Sequence, residues 1–343
     1  MLAATLALQL FSVGLTAIQP GTNAPELLRA DRCRSCHVAE HADWRASRHA
    51  QAWTNAIFQR EYRQHPQPWC VHCHAPLTQQ AVEIASGYAS HADALANEGV
   101  GCASCHVRDG VILAARKRAH SPHATRVVAD FDEPAFCAGC HQFGFPRFED
   151  NVVVGYTAHP MQDTVAQHER GPDAAVPCLT CHAAIAVAPG RHKFPGAHDS
   201  ALLERALAVE VCRDRDKLRI AVTNRGAGHR VPTGDVHRHL VLRAWRPSAP
   251  ERLVEEVFGR RFAPAADGGK VTVADSTLAP RERRVVSWPL ARISGSDGAG
   301  GDDTIAVELR YVFVIDEQPL TPLAEPSSTV VFRSSGEPAQ CAD

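Results

Sequence analysis

Ten of the twelve cysteines fall into five copies of one pentapeptide, Cys-x-x-Cys-His. At the cysteine and histidine frequencies of this chain, chance gives only about 0.02 such pentapeptides. The repetition therefore indicates a chemical constraint on these residue types. The cysteines are Cys33, Cys36, Cys70, Cys73, Cys102, Cys105, Cys137, Cys140, Cys178 and Cys181, and the histidines are His37, His74, His106, His141 and His182.

Cys-x-x-Cys-His is the attachment signature of c-type haem. Two thiols at this spacing can form thioethers with the two vinyl groups of one porphyrin edge. The following histidine then supplies the proximal axial nitrogen. Structural zinc also uses Cys-x-x-Cys pairs, but zinc does not require a histidine after every pair. A thioredoxin-like redox pair needs one such motif in a βαβ unit, which is not evident. The sequence therefore predicts five covalently bound haem c groups.

A six-coordinate haem needs a second axial ligand, normally His or Met. Fourteen histidines remain outside the motifs, whereas Met161 is the only methionine besides Met1. Bis-histidine ligation is therefore expected at most or all of the sites, and it favours low reduction potentials because an axial Met raises the potential. Spacing alone does not select the distal histidines, since each of the fourteen also fits a surface or propionate-contacting role.

The five motifs lie within the 150 residues from Cys33 to His182, about 30 residues for each haem. A segment of about 30 residues cannot form a hydrophobic core of its own. The porphyrins are therefore expected to form the core, held by short helices and long loops, which also accounts for an aromatic content of only 6%. Haems that share one core are necessarily close together.

The composition excludes several other classes of protein. Apolar residues make up 45% and charged residues 22%, which is typical of a globular chain. The 36 Lys and Arg against 38 Asp and Glu argue against a basic nucleic-acid-binding domain. Haem propionates make the loaded protein more acidic, so a basic patch on a redox partner is expected. Some of the arginines could clamp propionates, although genome composition explains their abundance equally well.

Residues 1–25 carry no charge, and the stretch from Leu2 to Ile18 is almost continuously apolar. This stretch predicts a secretory signal peptide, although no Lys or Arg precedes it and no clear cleavage site follows it. The alternatives are an uncleaved anchor, which at about 17 residues is short for a membrane span, and a mis-assigned start. We therefore expect export to the periplasm or the cell exterior, with membrane contact only through such an anchor.

The sequence changes character after Asp199. The stretch from Ala201 to Val211 predicts a helix, because its apolar residues recur at helical spacing. Short β-branched or alternating runs follow, separated by breaks rich in Pro, Gly and Asp, and they favour an antiparallel, Ig-like β-sandwich. The predicted strands are Leu218–Thr223, His239–Trp245, Val271–Ala274, Arg284–Trp288, Thr304–Ile315 and Thr329–Phe332.

The predicted fold class is therefore α+β. A signal peptide or anchor at residues 1–25 precedes a mostly helical and loop pentahaem domain at 26–200, and the β-sandwich domain occupies 201–343. Cys212 and Cys341 flank the sandwich, and in an exported protein two leftover cysteines most often pair. Free thiols and an intermolecular bond remain alternatives.

The segment from Cys33 to Ala50 has the pattern Cys-x-x-Cys-His…Trp-x-x-Ser-x-His-Ala. It resembles the opening of the multihaem cytochrome c-554 / c-prime family, and the resemblance covers about residues 26–200. In that family the histidine of this pattern is a haem ligand, which implies His49. The best-known members carry four haems and this chain has five motifs, so no haem-by-haem correspondence is carried over.

Later segments resemble exported multihaem cytochromes of the same broad group. They are a His-x-Phe-Pro-Gly-x-His element at 192–198, a Gly-His-x-x-Pro-Thr-Gly element at 228–234, and a Pro-His-Ala element after the third motif. Together with the opening pattern, these resemblances imply five distal candidates, His49, His123, His192, His198 and His229. The competing residues are His120, His159, Met161 and His168.

The sequence favours an exported pentahaem c-type cytochrome that transfers electrons between redox partner proteins, with self-assembly into an oligomer or filament as one version. The cofactor carries the chemistry in this interpretation, and the protein sets distances, ligation and dielectric. One alternative is an oxidoreductase that acts on a small nitrogen or sulfur compound at one open haem. Another is a haem-bearing binding or anchoring subunit of a respiratory complex.

Overall fold

The structure is a computed structural model. It describes residues 25–117, 120–128, 131, 133–150, 152–183, 192–266, 269–294, 304–314 and 328–341. The predicted signal peptide or anchor falls almost entirely outside the described residues. Among the helices that the structure describes, none combines the length and the apolar composition that a membrane span requires.

The described residues form two compact units. The first unit lies within Met1–Phe143 and Ala175–Pro195, and the second lies within Gly144–Ala174, Gly196–Pro322 and Pro326–Asp343. The segment Gly144–Ala174 therefore clusters with the second unit, although the sequence analysis assigns it to the first domain.

The first unit contains short helices joined by loops. Its α-helices are α1 (Ala30–Arg34), α2 (Val38–Arg45), α3 (Ala56–Gln64), α4 (Pro68–His74), α5 (Thr78–Ala85), α6 (Cys102–His106) and α7 (Pro134–His141), followed after one helix of the second unit by α9 (Cys178–His182). Single 3₁₀ turns lie at Pro25–Leu27, Tyr88–Ser90 and Leu95–Glu98. A small sheet consists of β1 (Val107–Arg108), β2 (Val111–Ala114) and β3 (Thr125–Val127), in that order.

Local sequence signals explain where several of these helices begin. The Oδ1 of Asn55 caps α3 by accepting the backbone N–H of Phe58 at 2.9 Å. Pro68 and Pro134 occupy the first turns of α4 and α7, where a missing N–H costs nothing. Both prolines thus start the helices that carry the second and fourth motifs.

The second unit contains most of the β-structure. Its helices are α8 (Thr164–Glu169), α10 (Ser200–Ala206) and α11 (Leu290–Ser294). Its strands are β4 (Gln142–Glu149), β5 (Val152–Asp163), β6 (Leu207–Asp214), β7 (Lys217–Asn224), β8 (His239–Arg246), β9 (Ala249–Pro264), β10 (Lys270–Asp275), β11 (Arg283–Pro289), β12 (Ile305–Val312) and β13 (Ser328–Gly336). The first two residues of β4 still belong to the first unit. Strands β4 and β5 form a two-stranded sheet.

Two larger antiparallel sheets make the second unit a sandwich. One has the strand order β10-β9-β8-β12-β13 and the other the order β11-β7-β6. Leu218, Ile220 and Val222 of β7 alternate toward the core, as the pleat of a strand requires. They pack in one cluster with residues of the five-stranded sheet such as Leu242 and Leu309. The fold is thus α+β with a C-terminal antiparallel β domain, as the sequence predicts.

The structure corrects three local expectations. The helix predicted to reach Val211 ends at Ala206, because Val209 and Val211 pair with Val222 and Ile220 as part of β6. The long strand β9 lies in a charged stretch where no strand is predicted. Strands β4 and β5 likewise replace predicted loop.

Cys212 of β6 and Cys341 are bonded in the structure, with Cα atoms 4.9 Å apart. The neighbouring backbone supports this contact. The N–H of Arg213 donates to the carbonyl of Ala339 at 2.8 Å, and the N–H of Cys341 donates to the carbonyl of Arg213 at 2.9 Å. The C-terminus is thereby fixed along β6.

Candidate haem-attachment sites

Each of the five pentapeptides occupies about one helical turn in the first unit. Helices α4, α6, α7 and α9 end on the histidine of their motif, and the first motif continues from the end of α1. There the N–H of His37 donates to the carbonyl of Cys33 at 2.9 Å. Residues three and four positions apart lie on the same helix face. Each turn therefore presents two thiols and an imidazole on one side, as thioether attachment and proximal ligation require. All ten cysteines are free of disulfides.

The thiols of different motifs contact one another. Three hydrogen-bonded thiol pairs are Cys33–Cys102, Cys73–Cys140 and Cys137–Cys178. The charge of Cys140 also acts on Cys105. The contacts thus join the first motif to the third, and the fourth to the second and fifth, with the third and fourth close together.

These contacts change the acidity of the thiols. The hydrogen bond from Cys102 lowers the pKa of Cys33 to about 7, while the same contact and burial raise the pKa of Cys102. Burial raises the pKa of Cys70 and of Cys105 to about 11 each. Burial therefore disfavours the thiolate form of Cys70 and of Cys105.

Three motif histidines are oriented by backbone carbonyls. The Nδ1 of His74 lies 2.7 Å from the carbonyl oxygen of Ala52. The Nδ1 of His106 lies 3.0 Å from that of Leu113, and the Nδ1 of His182 lies 2.7 Å from that of Pro195. A carbonyl oxygen only accepts hydrogen bonds, so Nδ1 carries the proton in each ring. The lone pair is then on Nε2, which is the arrangement found in metal-ligating histidines.

Three motif histidines each face another histidine of the first unit at a nearly constant distance. The pairs and their ring-centroid separations are His37–His123 (6.4 Å), His141–His49 (6.4 Å) and His106–His192 (6.1 Å). A metal ion bound at about 2 Å to one nitrogen of each ring holds the centroids about 6 Å apart. The spacing therefore fits an iron between the rings of each pair.

The environment of these rings also fits axial ligation. The Nδ1 of His192 is buried without a hydrogen-bond partner among the described residues. Burial, together with the charges of His141 and His182, lowers the pKa of His49 to about 4. Burial likewise lowers the pKa of His106 and of His141. Neutral rings at physiological pH keep the lone pair that an iron requires.

The other predicted ligands and their competitors lie mostly in the second unit. His198 stacks on Phe313 with centroids 3.7 Å apart. The Nδ1 of His229 lies 2.8 Å from the carbonyl oxygen of Arg230, which leaves its Nε2 for other contacts. The competitors are His159 and Met161 in β5, the buried His168 in α8, and His120 between β2 and β3 in the first unit.

Sequence reasoning missed the aromatic residues that support the histidines. Phe58 stacks on His74 at 3.6 Å and Phe131 on His106 at 4.9 Å. Phe194 contacts His49 at 4.9 Å and also contacts His192. The only sequence signal for these roles is the position of Phe194 inside the His-x-Phe-Pro-Gly element.

Two comparisons with known proteins give a match. Residues 32–107 match the model of the family "Cytochrome c554 and c-prime". A penta-heme cytochrome c552 from Thermochromatium tepidum is a solved structure similar to this chain, at 18% identity and a TM-score of 0.66. The alignment covers 90% of this chain and 97% of that one, and at this identity it shows the shared fold. A comparison with curated proteins finds no match.

Proposed function

We propose that this chain, a multihaem c-type cytochrome that binds five haem c, transfers electrons between redox partner proteins. The bound haem c groups supply reversible one-electron chemistry. The residues of the chain attach them, fix their axial ligation and exclude water. In this proposal no substrate is chemically converted.

The observation that carries the proposal is the set of three histidine pairs in the first unit. We assign His123, His192 and His49 as the distal ligands of the first, third and fourth sites, opposite the proximal rings of those motifs. Two histidines leave no axial position for a substrate, which favours outer-sphere electron transfer over catalysis. His198 and His229 stay proposed as distal ligands on the basis of the family resemblance alone, without assignment to a particular site.

The thiol contacts support an order for the sites. Attachment residues of the first and third motifs touch, and the fourth motif touches both the second and the fifth. Because each thiol marks one porphyrin edge, neighbouring attachment points hold successive groups close together. We propose a continuous path from the first motif through the third to the fourth, where it branches.

We also propose that the protein works outside the cytoplasm. The uncharged apolar stretch at residues 1–25 and the Cys212–Cys341 pair support this location. The partners would be redox proteins with basic patches, because the loaded chain is acidic. Assembly into an oligomer or filament would extend the same path between copies.

Electron paramagnetic resonance of the purified ferric protein tests the proposal, with haem content fixed by the pyridine haemochrome assay. We expect five haems for each chain and low-spin signals without stoichiometric high-spin iron. A stoichiometric high-spin signal that changes with nitrite, hydroxylamine or sulfite would instead identify an open site and an oxidoreductase.

The ligand assignment has its own test in His49→Ala. We expect one of the five haems to become high-spin, because the ring that faces His141 is removed. The control is His65→Ala, because His65 is exposed and forms no ring pair with a motif histidine among the described residues. A fully low-spin spectrum of His49→Ala without a substitute ligand would refute the assignment.

A further inference from the structure

Glu98 lies between the segments that carry the first and third motifs. Its Oε2 accepts the backbone N–H of Ala30, the first residue of α1, at 2.9 Å. A Cβ placed on Gly101, the residue before α6, would lie 3.4 Å from the same oxygen. One carboxylate thus lies close to the start of both helices and accepts a hydrogen bond from the first.

The attachment thiols of these two motifs lie beside the carboxylate. Cys33 and Cys102 are hydrogen-bonded to each other, and the charge of Glu98 acts on both. An anion at this position therefore acts on the edges where the first and third haems are attached. The charge of Glu98 therefore acts on two attachment sites at once.

The groups around Glu98 leave it only partly compensated. Burial raises its pKa, the Ala30 N–H and the more distant Arg29 and Arg45 lower it, and Asp31 raises it. Asp31 is itself largely exposed and lies 3.5 Å from the Nε2 of His41.

On the other side, the buried Trp44 packs 3.9 Å from the Cβ position of Gly101. Its Nε1 donates to the carbonyl of Val100 at 2.8 Å. The described hydrogen-bond donor to Glu98 is a neutral backbone amide, and its cationic neighbours act from a longer distance. The protonation of this carboxyl is therefore sensitive to a change of charge at the first or third attachment site.

We propose that Glu98 couples proton uptake to electron uptake at the first and third sites. This inference rests on the proposed electron-transfer function. A one-electron donor would reduce a ferric haem held at either site to the ferrous state, and this reduction would add one negative charge. A proton from water then binds the Glu98 carboxylate as a carboxyl group, and oxidation reverses both steps. An added negative charge disfavours a neighbouring half-buried anion, which is the physical cause of the coupling.

The direction of the effect follows from this cycle. Reduction favours the protonated carboxyl, so over the pH range in which Glu98 titrates the midpoint potentials of the two sites fall as the pH rises. At low pH, where Glu98 is neutral in both states, the potentials reach their upper plateau. A neutral residue at position 98 holds this plateau at every pH.

The experiment is a spectroscopic redox titration of the full-length holoprotein at a series of pH values. It compares the wild type with Glu98→Gln, which removes the charge and keeps an acceptor for the Ala30 N–H. The matched control is Glu83→Gln, because the Oε2 of Glu83 also accepts a backbone N–H, from Ala96 at 2.8 Å. We expect the pH-dependent part of one or two midpoint potentials to disappear in Glu98→Gln and to persist in Glu83→Gln.

Identical pH profiles in the wild type and Glu98→Gln overturn the inference while leaving reversible electron uptake, and hence the proposed function, intact. Failure of the wild-type haems to reduce and reoxidise reversibly refutes the proposed function itself. If Glu98→Gln does not assemble, reduced-minus-oxidised infrared spectra of the wild type with ¹³C-labelled glutamate give the same test. A shifted protonated-carboxyl band that grows on reduction supports the inference, and its absence across the pH series overturns it.

Discussion

The two units bury apolar side chains in different ways. In the second unit, twenty buried residues from both sheets and the flanking helices form one connected cluster. In the described part of the first unit, the buried apolar residues fall into separate clusters of five, four and three. The first unit nevertheless contains the five attachment motifs and the three histidine pairs.

This difference indicates two sources of cohesion. Three small clusters do not bury enough apolar surface to offset the entropy of ordering the chain. In the first unit that role falls to the covalently bound porphyrins, and the proposed axial ligation would add bonds between distant segments such as those of His49 and His141. The second unit has a connected apolar core of its own, and its disulfide joins β6 to Cys341.

Withholding haem gives the largest expected effect. We expect the full chain, produced without haem attachment, to lose the helices of the first unit while the second unit keeps its β-structure. The reason is that only the second unit has a connected core. Far-UV circular dichroism together with limited proteolysis measures both changes. Protease resistance of residues 30–141 in the haem-free chain would contradict the comparison.

Removing the disulfide acts on the other unit. The Cys212–Cys341 bond spans 129 residues, and a loop of this length corresponds to about 5 kcal/mol of unfolding free energy by chain entropy. We expect the double replacement by Ser to destabilise the second unit by up to about this amount in urea titrations followed by circular dichroism. The haem spectrum should not change, and a change would mean that the bond also supports the first unit.

The difference between the units also explains what the sequence could predict. The attachment cysteines and proximal histidines are predicted from covalent chemistry at fixed local spacing, so the pentapeptides suffice for that prediction without any tertiary information. The pairing of His192 with His106 depends on tertiary structure across some 85 residues, and no spacing rule contains it. The family resemblance, rather than periodicity, pointed to His192 as a ligand.

The strands of the second unit followed from alternation wherever one face is apolar, as in β7 and β8. The strand β9 has Val254 and Phe258 buried four residues apart among charged neighbours, which is closer to a helical pattern. Its strand pairing is imposed by β8 and β10 on either side. The end of α10 at Ala206 was missed for the same reason, since β7 recruits the next residues into β6.

A matched pair of core substitutions sharpens the comparison. Leu309 and Leu77 are both fully buried, but they belong to the twenty-residue and five-residue clusters respectively. Leu309→Ala is expected to destabilise the second unit by about 3–5 kcal/mol, because a cavity in a connected core does not collapse. Leu77→Ala should cost clearly less, since bound haem still holds the first unit. Equal losses in thermal unfolding of the two variants would show that both units depend on apolar packing alike.

The smallest effect is expected from Glu308, a buried carboxylate of β12 that pairs with Arg310 and Arg333. Burial raises the pKa of Glu308, but the hydrogen bonds from the two arginines lower it by more than burial raises it. The pKa therefore lies below its usual value. Such a group adds stability above the unfolded-state pKa and loses it as the pH falls through the folded-state pKa.

Glu308→Gln should therefore cost on the order of 1–2 kcal/mol at neutral pH and flatten the loss of stability toward acid pH. The exposed pair Arg243–Glu255 on the neighbouring strands provides the control. Glu255→Gln should cost less than about 0.5 kcal/mol, because solvent screens both charges. Urea titrations of the two variants at neutral and acid pH decide the matter. If both variants keep the acid sensitivity of the wild type, the pH dependence of the second unit originates elsewhere than in this ion pair.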